Sequence, residues 1–418
     1  MTGRLLILLP LALPLYLIRF KIGPLPTTVL EAYILTLVVE FAVTYPWKNW
    51  RQDWQRVGAW RWSMPAWLVV TLVAVFTSPN LWTGFGLWRA YVLEPLLVFV
   101  MLVACIKTEE QFRDLRRSLY VTVLILVGWA AIQFATGWGI PHPWDVSILA
   151  GRRATGPFPY PNALSLFVAP VGAWAFCLWL QDRTRLLSLV TAIAALIGIA
   201  LAKSNGGALA FLVVSFVALV WSFLGKTKGG LGRIWSGSIL GMSLAALVAV
   251  LSKASWRAKL VSVLTMHEWS GQVRLFQWRE TWQMLMAHPL FGAGFGGYPS
   301  VFKAFHKATA IEIFQYPHNI LLNFWSETGL LGVAVFLWIV FVWIRRAQPP
   351  LPPLSGGNQN PSLIREGQGW VSVHFASLAP LLVILIHGLV DVPYFKNDLA
   401  ILFWLLAFLT TFPLVENY

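Results

Sequence analysis

The sequence predicts an all-α, polytopic membrane bundle of about twelve spans, interrupted by one long polar loop on the side away from the cytoplasm. Three observations carry this prediction. The 418 residues are 58% hydrophobic and only 11% charged, whereas a soluble domain carries about 25% charged residues to keep its surface wet. Apolar runs of membrane-crossing length recur along the chain, which has a mean hydropathy of +0.68. Finally, many of the 24 tryptophans lie near the ends of those runs, where an apolar ring with one polar atom suits the membrane interface.

A span needs roughly 17–25 mostly apolar residues. The runs that qualify are 5–20, 27–45, 64–80, 89–106, 119–137, 161–180, 186–202, 207–224, 234–252, 326–344, 371–389 and 398–415. The first, third and seventh are near the lower limit. The lysines and arginines orient the set. With the N-terminus inside, seventeen of the 31 basic residues fall in the cytoplasmic segments and seven in the short outer loops and helix ends. The remaining seven lie in 253–317, a loop too long for the charge-bias rule to govern. Both termini are therefore expected in the cytoplasm. The whole chain, 1–418, reads as a single integral membrane domain, with 253–317 as its extracytoplasmic loop.

Composition also excludes several classes. A net charge of +14 would suggest nucleic acid in a soluble protein, but basic cytoplasmic loops beside anionic lipid account for it here. Cys105 and Cys177 lie inside apolar runs without zinc or redox spacing, so they read as reduced thiols. The N-terminal apolar stretch lacks a small-residue cleavage site and reads as an uncleaved first helix. The Pro- and Gly-rich stretch 347–369 reads as a flexible cytoplasmic insertion. No fixed-period repeat stands out.

The outer side holds the residues that carry chemistry. The loop around 139–162 contains Arg152 and Arg153 followed by Gly156, Pro157, Pro159 and Pro161. Two adjacent arginines here run against the inward bias, and Asn162 is placed to cap the next helix. They read either as an anion site or as side chains snorkelling to headgroups. In the long loop, Arg274, Trp278 and Arg279 fall on an expected helix from about 271 to 287, and Arg274 and Trp278, four apart, share a face. The run His288-Pro289-Leu290-Phe291-Gly292-Ala293-Gly294 follows. No strand precedes these glycines, which excludes a dinucleotide loop and leaves a tight turn at the membrane surface. His318 and Asn319 come next, with Glu327 nine residues beyond the histidine. His318 reads as a catalytic or a hydrogen-bonding structural residue, and Glu327 as a helix N-terminal charge. Arg89 and Asp391, at the outer ends of two further spans, read as additional contacts or as structural membrane-edge charges.

Three pieces together resemble the O-antigen ligase and polymerase superfamily of bacterial envelope enzymes. They are Arg153-Ala154-Thr155-Gly156 with Pro161-Asn162; Arg274 and Trp278 with His288-Pro289-Leu290-Phe291-Gly292-Ala293-Gly294; and His318-Asn319 with Glu327-Thr328-Gly329-Leu330-Leu331-Gly332. The resemblance covers 150–335. It implies a type C glycosyltransferase-like bundle in the bacterial inner membrane. Such an enzyme moves a glycan from a polyprenyl-diphosphate carrier to a hydroxyl on a lipid, glycan or protein acceptor. By the same resemblance Arg153 or Arg152, together with Arg274, meets the lipid diphosphate, and His318 is the catalytic histidine. Arg89 is a possible further diphosphate contact, and Asn319, Glu327 and Asp391 are supporting residues.

Residue chemistry points the same way. A sugar diphosphate has a good leaving group, so the site must stabilise developing negative charge, which suits the forked, permanently charged guanidinium. A histidine titrating near neutrality suits removal of the hydroxyl proton. The sequence has no Asp-x-Asp pair and no His-Glu-x-x-His pattern, so no metal or other cofactor is expected. Two other readings stand beside this one: a transporter of a small anion such as bicarbonate, and a non-catalytic envelope assembly component.

Overall fold

In a computed structural model, residues 2–412 are described except 24, 150, 183, 225–236, 243–244, 246–247, 249–251, 308–310 and 348–360; side chains are not described at 256, 259, 260, 264 and 361–374. The described chain is 75% helical, with almost no strand. Its two strands, β1 (Arg19–Ile22) and β2 (Leu25–Thr28), form a short antiparallel hairpin. The first helices are α1 (Thr2–Ala12), α2 (Val29–Thr44), α3 (Trp50–Arg56), α4 (Trp60–Phe76), α5 (Leu81–Trp88), α6 (Glu94–Cys105) and α7 (Glu109–Thr136). Then come α8 (Pro161–Gln181), α9 (Leu186–Ala202), α10 (Asn205–Leu224), α11 (Ala254–Leu264), α12 (Trp269–Ala287) and α13 (Tyr298–Phe302). The last three are α14 (Ile320–Arg346), α15 (Pro361–Gly388) and α16 (Asn397–Thr411).

Local sequence explains many of the boundaries. Thr28 with Glu31, and Thr108 with Gln111, close reciprocal capping boxes that open α2 and α7. Gly137 ends α7 in the left-handed region, as a helix stop requires. A π turn over Arg89–Leu93 joins α5 to α6.

Five of these segments are long and apolar enough to cross a membrane: Leu81–Cys105, Glu109–Thr136, Pro161–Gln181, Asn205–Leu224 and Ile320–Arg346. The α2 segment and Trp47–Arg56, bent by 91°, make a sixth if taken together. Thr2–Leu17, Trp60–Phe76, Leu186–Ala202, Phe375–Gly388 and Asn397–Thr411 are shorter apolar helices. Eleven of the twelve expected runs thus coincide with an apolar helix, although fewer satisfy the length criterion. The expected span 234–252 falls largely outside the described residues. So do residues 348–360 of the expected insertion, and the helical backbone resumes at Pro361.

Burial separates the helices into two kinds. α16 is buried from Asp398 to Thr411, and α8 is buried along nearly its whole length, as expected of helices enclosed by others. α8 packs against α9, α10 and α15, and α16 against α6. The outer helices expose large apolar side chains instead, among them Val43 on α2, Ile193 on α9 and Leu212 on α10. In lipid such faces carry no hydrophobic penalty. The large aromatic core joins Trp60, Phe99 and Trp404, with ring centroids 5.1–5.6 Å apart.

The glycine-rich run after α12 is a docked turn, in line with its sequence. Ala293 N donates to Ser326 O at 2.7 Å and Phe295 N to Ala74 O at 3.0 Å, which pins the turn between α4 and α14. At the facing point α14 is broken by Gly329, with φ 70° and ψ −178°, a backbone region open in practice to glycine alone. A Cβ there would lie 2.8 Å from Phe291 Cα. Glu327 departs from its expected role. It lies a full two turns inside α14, buried, and its carboxylate accepts from Gly296 N. It anchors the glycine turn rather than balancing its own helix dipole.

Candidate functional site

The polar residues collect where helix ends meet. A cavity of about 670 Å³ opens among the starts of α8, α10 and α14, the ends of α9 and α15, and the flank of α12. Its lining includes Arg153, Asn162, Lys203, Arg274, Asn319 and Asp391. The N-terminal residues of four helices, α8, α10, α12 and α14, line it, and each helix start is a region of partial positive charge.

The two adjacent arginines take opposite directions. Arg152 folds back on the end of α7, donating to Phe134 O at 2.7 Å and Ala135 O at 3.2 Å. It satisfies carbonyls that a helix end leaves open, and it does not line the cavity. Arg153 does. Its Nε donates to Ala202 O at 2.9 Å and its Nη2 to Asn162 Oδ1 at 3.2 Å. Its guanidinium also lies 4.8 Å from the Trp144 ring centroid. Burial, and then the charge of Arg274, hold Arg153 below the ordinary guanidinium value, while Glu268 and Asp391 act in the other direction. At neutral pH both arginines remain cationic. Two mutually repelling cations in one cavity form a place for an anion.

Arg274 comes from α12, as its spacing predicts. Its Nε donates to Val390 O at 2.8 Å and its Nη1 to Ser270 O at 3.3 Å, which fixes the guanidinium at the cavity wall. Trp278, one turn on, donates Nε1–H to Pro317 O at 2.8 Å and thereby holds the segment that delivers His318. Asn319 caps α14, accepting from Leu322 N at 3.1 Å while its Nδ2 donates to Leu389 O at 3.0 Å.

His318 sits beside the cavity with φ 49°, in the left-handed region, an uncommon backbone state for a residue with a side chain. Its Nδ1 lies 3.3 Å from Asp391 Oδ1, and its ring meets Phe314 and Tyr316 edge-on at 5.1 and 4.9 Å. Asp391 is fully buried. Its second oxygen accepts from Asn162 Nδ2 at 2.8 Å, and Val392 N donates to the first at 2.9 Å. Burial alone would raise the Asp391 carboxyl. The hydrogen bond from His318 and the charges of His318, His387 and Arg274 more than offset it and hold the group well below the usual carboxylate range. An ionised partner on Nδ1 fixes the tautomer that leaves Nε2 free to accept a proton.

Asn162 was expected to cap α8. It does not. Pro161 occupies the first turn, the cap position falls to Tyr160 without a side-chain cap bond, and Asn162 instead bridges Arg153 to Asp391. Arg89 and Glu327 lie apart from the cavity. Arg89 pairs with Glu31 at 2.7 Å and Glu94 at 3.2 Å, so its charge is already matched by two carboxylates. The structure thus brings together Arg153, Arg274, His318, Asn319 and Asp391 and leaves Arg89, Arg152 and Glu327 elsewhere. Lys203, Asn205, Glu268 and His387 also line the cavity. Of these, Lys203-Ser204-Asn205-Gly206 carried a legible signal, since a polar break between two apolar helices has to surface at one end of the bundle.

Fold and site together define a multi-pass helical membrane protein with an arginine-lined, histidine-flanked cavity at one end of the bundle. A family model described as O-Antigen ligase matches residues 166–337. The matched segment, about two fifths of the chain, is similar to the O-antigen ligase family. Arg274, His318, Asn319 and Glu327 fall inside the matched segment; Arg153 and Asp391 fall outside it. No curated protein matches the chain. Anion transport finds no support in this match.

Proposed function

We propose that this protein is a glycosyltransferase that moves a glycan from a polyprenyl-diphosphate carrier to an acceptor hydroxyl at the outer face of the bacterial inner membrane. One observation carries the reading: Arg153, Arg274 and Asp391 line one cavity, and His318 is held against Asp391 at its edge, although the four come from separate parts of the chain. The topology behind it is the twelve-span, type C-like arrangement with both termini in the cytoplasm, which puts the cavity at the outer leaflet.

In this mechanism the donor diphosphate lies between Arg153 and Arg274, whose charges stabilise it as it leaves. His318, held through Nδ1 by Asp391, presents Nε2 to the acceptor hydroxyl. As the hydroxyl oxygen bonds to the anomeric carbon, the bond from that carbon to the diphosphate oxygen breaks. The hydroxyl proton passes to His318, and the polyprenyl diphosphate leaves with the bonding electrons. Attack opposite the leaving group inverts the anomeric centre. The arginines supply the charge stabilisation a metal would otherwise give, so the reaction is proposed to run without one. The acceptor is a lipid, a growing glycan or a protein.

The test is transfer of a polyprenyl-diphosphate glycan in membranes carrying wild type, His318→Ala or Arg274→Ala. Transfer should fall by about a hundredfold or more for each. Full transfer by both variants, inserted at wild-type levels, would overturn the proposal.

A further inference from the structure

The sides of α12 have different surroundings. Gln277, Glu280, Thr281 and Met284 are buried and hold the rest of the long loop. Glu280 accepts from Lys307 N at 2.9 Å, and Gln277 Nε2 donates to Tyr316 O at 2.8 Å. Arg274 and Trp278 form a wall of the cavity. The remaining side carries Leu275, Phe276, Arg279, Trp282 and Met286, all exposed. With 3.6 residues per turn these five fall within an arc of about 120°, which begins beside Trp278. An apolar arc of this width ordinarily faces a core, yet its four apolar side chains are 42–50% exposed.

Depth and continuity identify what covers the arc. The turn after α12 docks on α14 at Gly329, nine residues beyond the first residue, Ile320. At 1.5 Å per residue that is about 14 Å along the helix. The 27 residues of α14, a segment of membrane-crossing length, reach about 40 Å, a bilayer with both headgroup layers. Each headgroup layer takes only about 5–7 Å of that. The turn therefore lies below the headgroups, and its Leu290 is 66% exposed. Continuity points the same way. Trp282 meets Trp325 of α14 edge-on at 5.6 Å, and Trp325 Nε1 donates to Pro289 O at 2.8 Å. Leu321, one turn before Trp325 on the same face of α14, is exposed. Within the arc, Arg279 is exposed and has no ion-pair partner among the described residues. A guanidinium among apolar neighbours suits the level of lipid phosphates.

We propose that the open arc of α12 and the Leu290–Phe291 turn are a lipid-binding surface, sunk into the bilayer leaflet that borders the cavity, with Arg279 at the lipid phosphates. α12 is then an interfacial helix. One edge lies in lipid and the other walls the cavity, so Arg274 is held at the height of a lipid headgroup. The placement needs only the membrane-crossing α14 and is independent of any transfer reaction.

The experiment uses the full-length protein in phosphatidylcholine nanodiscs, with Cys105→Ala and Cys177→Ala as background. Single spin labels are placed through Leu275→Cys, Trp282→Cys, Met286→Cys and Leu290→Cys, all at exposed positions. Glu110→Cys, at the exposed polar start of α7, is the aqueous reference, and Leu212→Cys, exposed on α10, is the lipid reference. Collision of each label with oxygen, which concentrates in lipid, is compared with collision with a water-soluble nickel chelate. The four test labels should lose most of the nickel collisions seen at Glu110 and keep the oxygen collisions seen at Leu212, with the label at Leu290 the deepest. Nickel access like that of Glu110 at positions 275, 282 and 286 would overturn the proposal. Low collision with both reagents would overturn it as well, since protein then covers the arc. Mutual broadening of the labels would identify that protein as a second copy of the chain.

Discussion

Replacing Asp391 by Asn removes one charge from the centre of the site while keeping its shape. The carboxylate lies 3.3 Å from His318 Nδ1, so at an effective dielectric of ~20 its attraction for a protonated imidazole is ~5 kcal/mol. Desolvation and reorganisation reduce what is realised, and a hydrogen bond to a charged group contributes about 1.5–3 kcal/mol net. Because the imidazolium forms only as the hydroxyl proton is transferred, that loss falls on the transition state. Each 1.36 kcal/mol is tenfold in rate, which puts the expected drop in turnover at about ten- to 150-fold.

Two further effects follow from the same change. Asn162 Nδ2 donates to Asp391 at 2.8 Å, and an amide oxygen at position 391 can still accept it. If the new amide instead presents its NH2 to His318, the imidazole is turned to the wrong tautomer and the loss grows. The donor KM should change little, since Arg153 and Arg274 keep their backbone anchors. Initial rates of glycan transfer in nanodiscs, measured against donor concentration, separate turnover from KM. Wild-type turnover by a folded Asp391→Asn protein, alongside an inactive His318→Ala protein, would refute the orienting role of Asp391.

The other predictions follow from the same geometry. Arg153→Ala should raise the donor KM severalfold or more, whereas Arg152→Ala, which loses contacts only at the end of α7, should leave donor kinetics near wild type; equal effects would remove the distinction. Glu268→Gln deletes an acid at the cavity rim and should tighten pyrophosphate binding, as read by titration calorimetry. Gly329→Ala forces a side chain into a glycine-only backbone region, costing of order 1–3 kcal/mol before the clash with Phe291 is counted, and should lower the yield of monodisperse protein. A carboxyl held below its ordinary range, as Asp391 is, stabilises the fold above the unfolded pKa of about 3.9 and loses that contribution as pH falls below it. Thermal melts in detergent should therefore show an acid-induced drop that Asp391→Asn partly lacks. A chelator should leave transfer unchanged; its abolition would refute metal independence.

How much of this was legible depends on the range of the interaction that decides each feature. The apolar helices were read well because hydropathy is a property of the segment itself, and eleven expected runs met a helix. Arg153, Arg274 and His318 were singled out by the resemblance of their motifs to a family, and the chemistry of arginine and histidine agreed with it without deciding between a catalytic and a structural role. What failed was pairing across the chain. Glu327 was read as a dipole charge because the Gly296 amide it holds, 31 positions earlier, is invisible to local pattern. Arg89 was read as a further diphosphate contact or a structural membrane-edge charge, and only the second fits its pairing with Glu31, which lies 58 positions earlier on α2.

Asn162 is the most instructive case, because its misreading was avoidable. Asparagine before an apolar run reads as a cap, yet Pro161 already sits where the first helical residue belongs, so the cap had to fall at Tyr160. That left a polar side chain inside the first turn of a helix buried nearly throughout, with no local acceptor to explain it. Its partner is Asp391, 229 positions away. The same logic applies to the Asn205-Gly206-Gly207 start of α10 and to His387, polar or unshielded groups that no local rule satisfies. In a chain whose surroundings are mostly lipid, each such group has to find a distant partner or a ligand. Asn162 and Asp391 find theirs in each other at the cavity, whereas Glu327 and Arg89 find theirs elsewhere in the bundle.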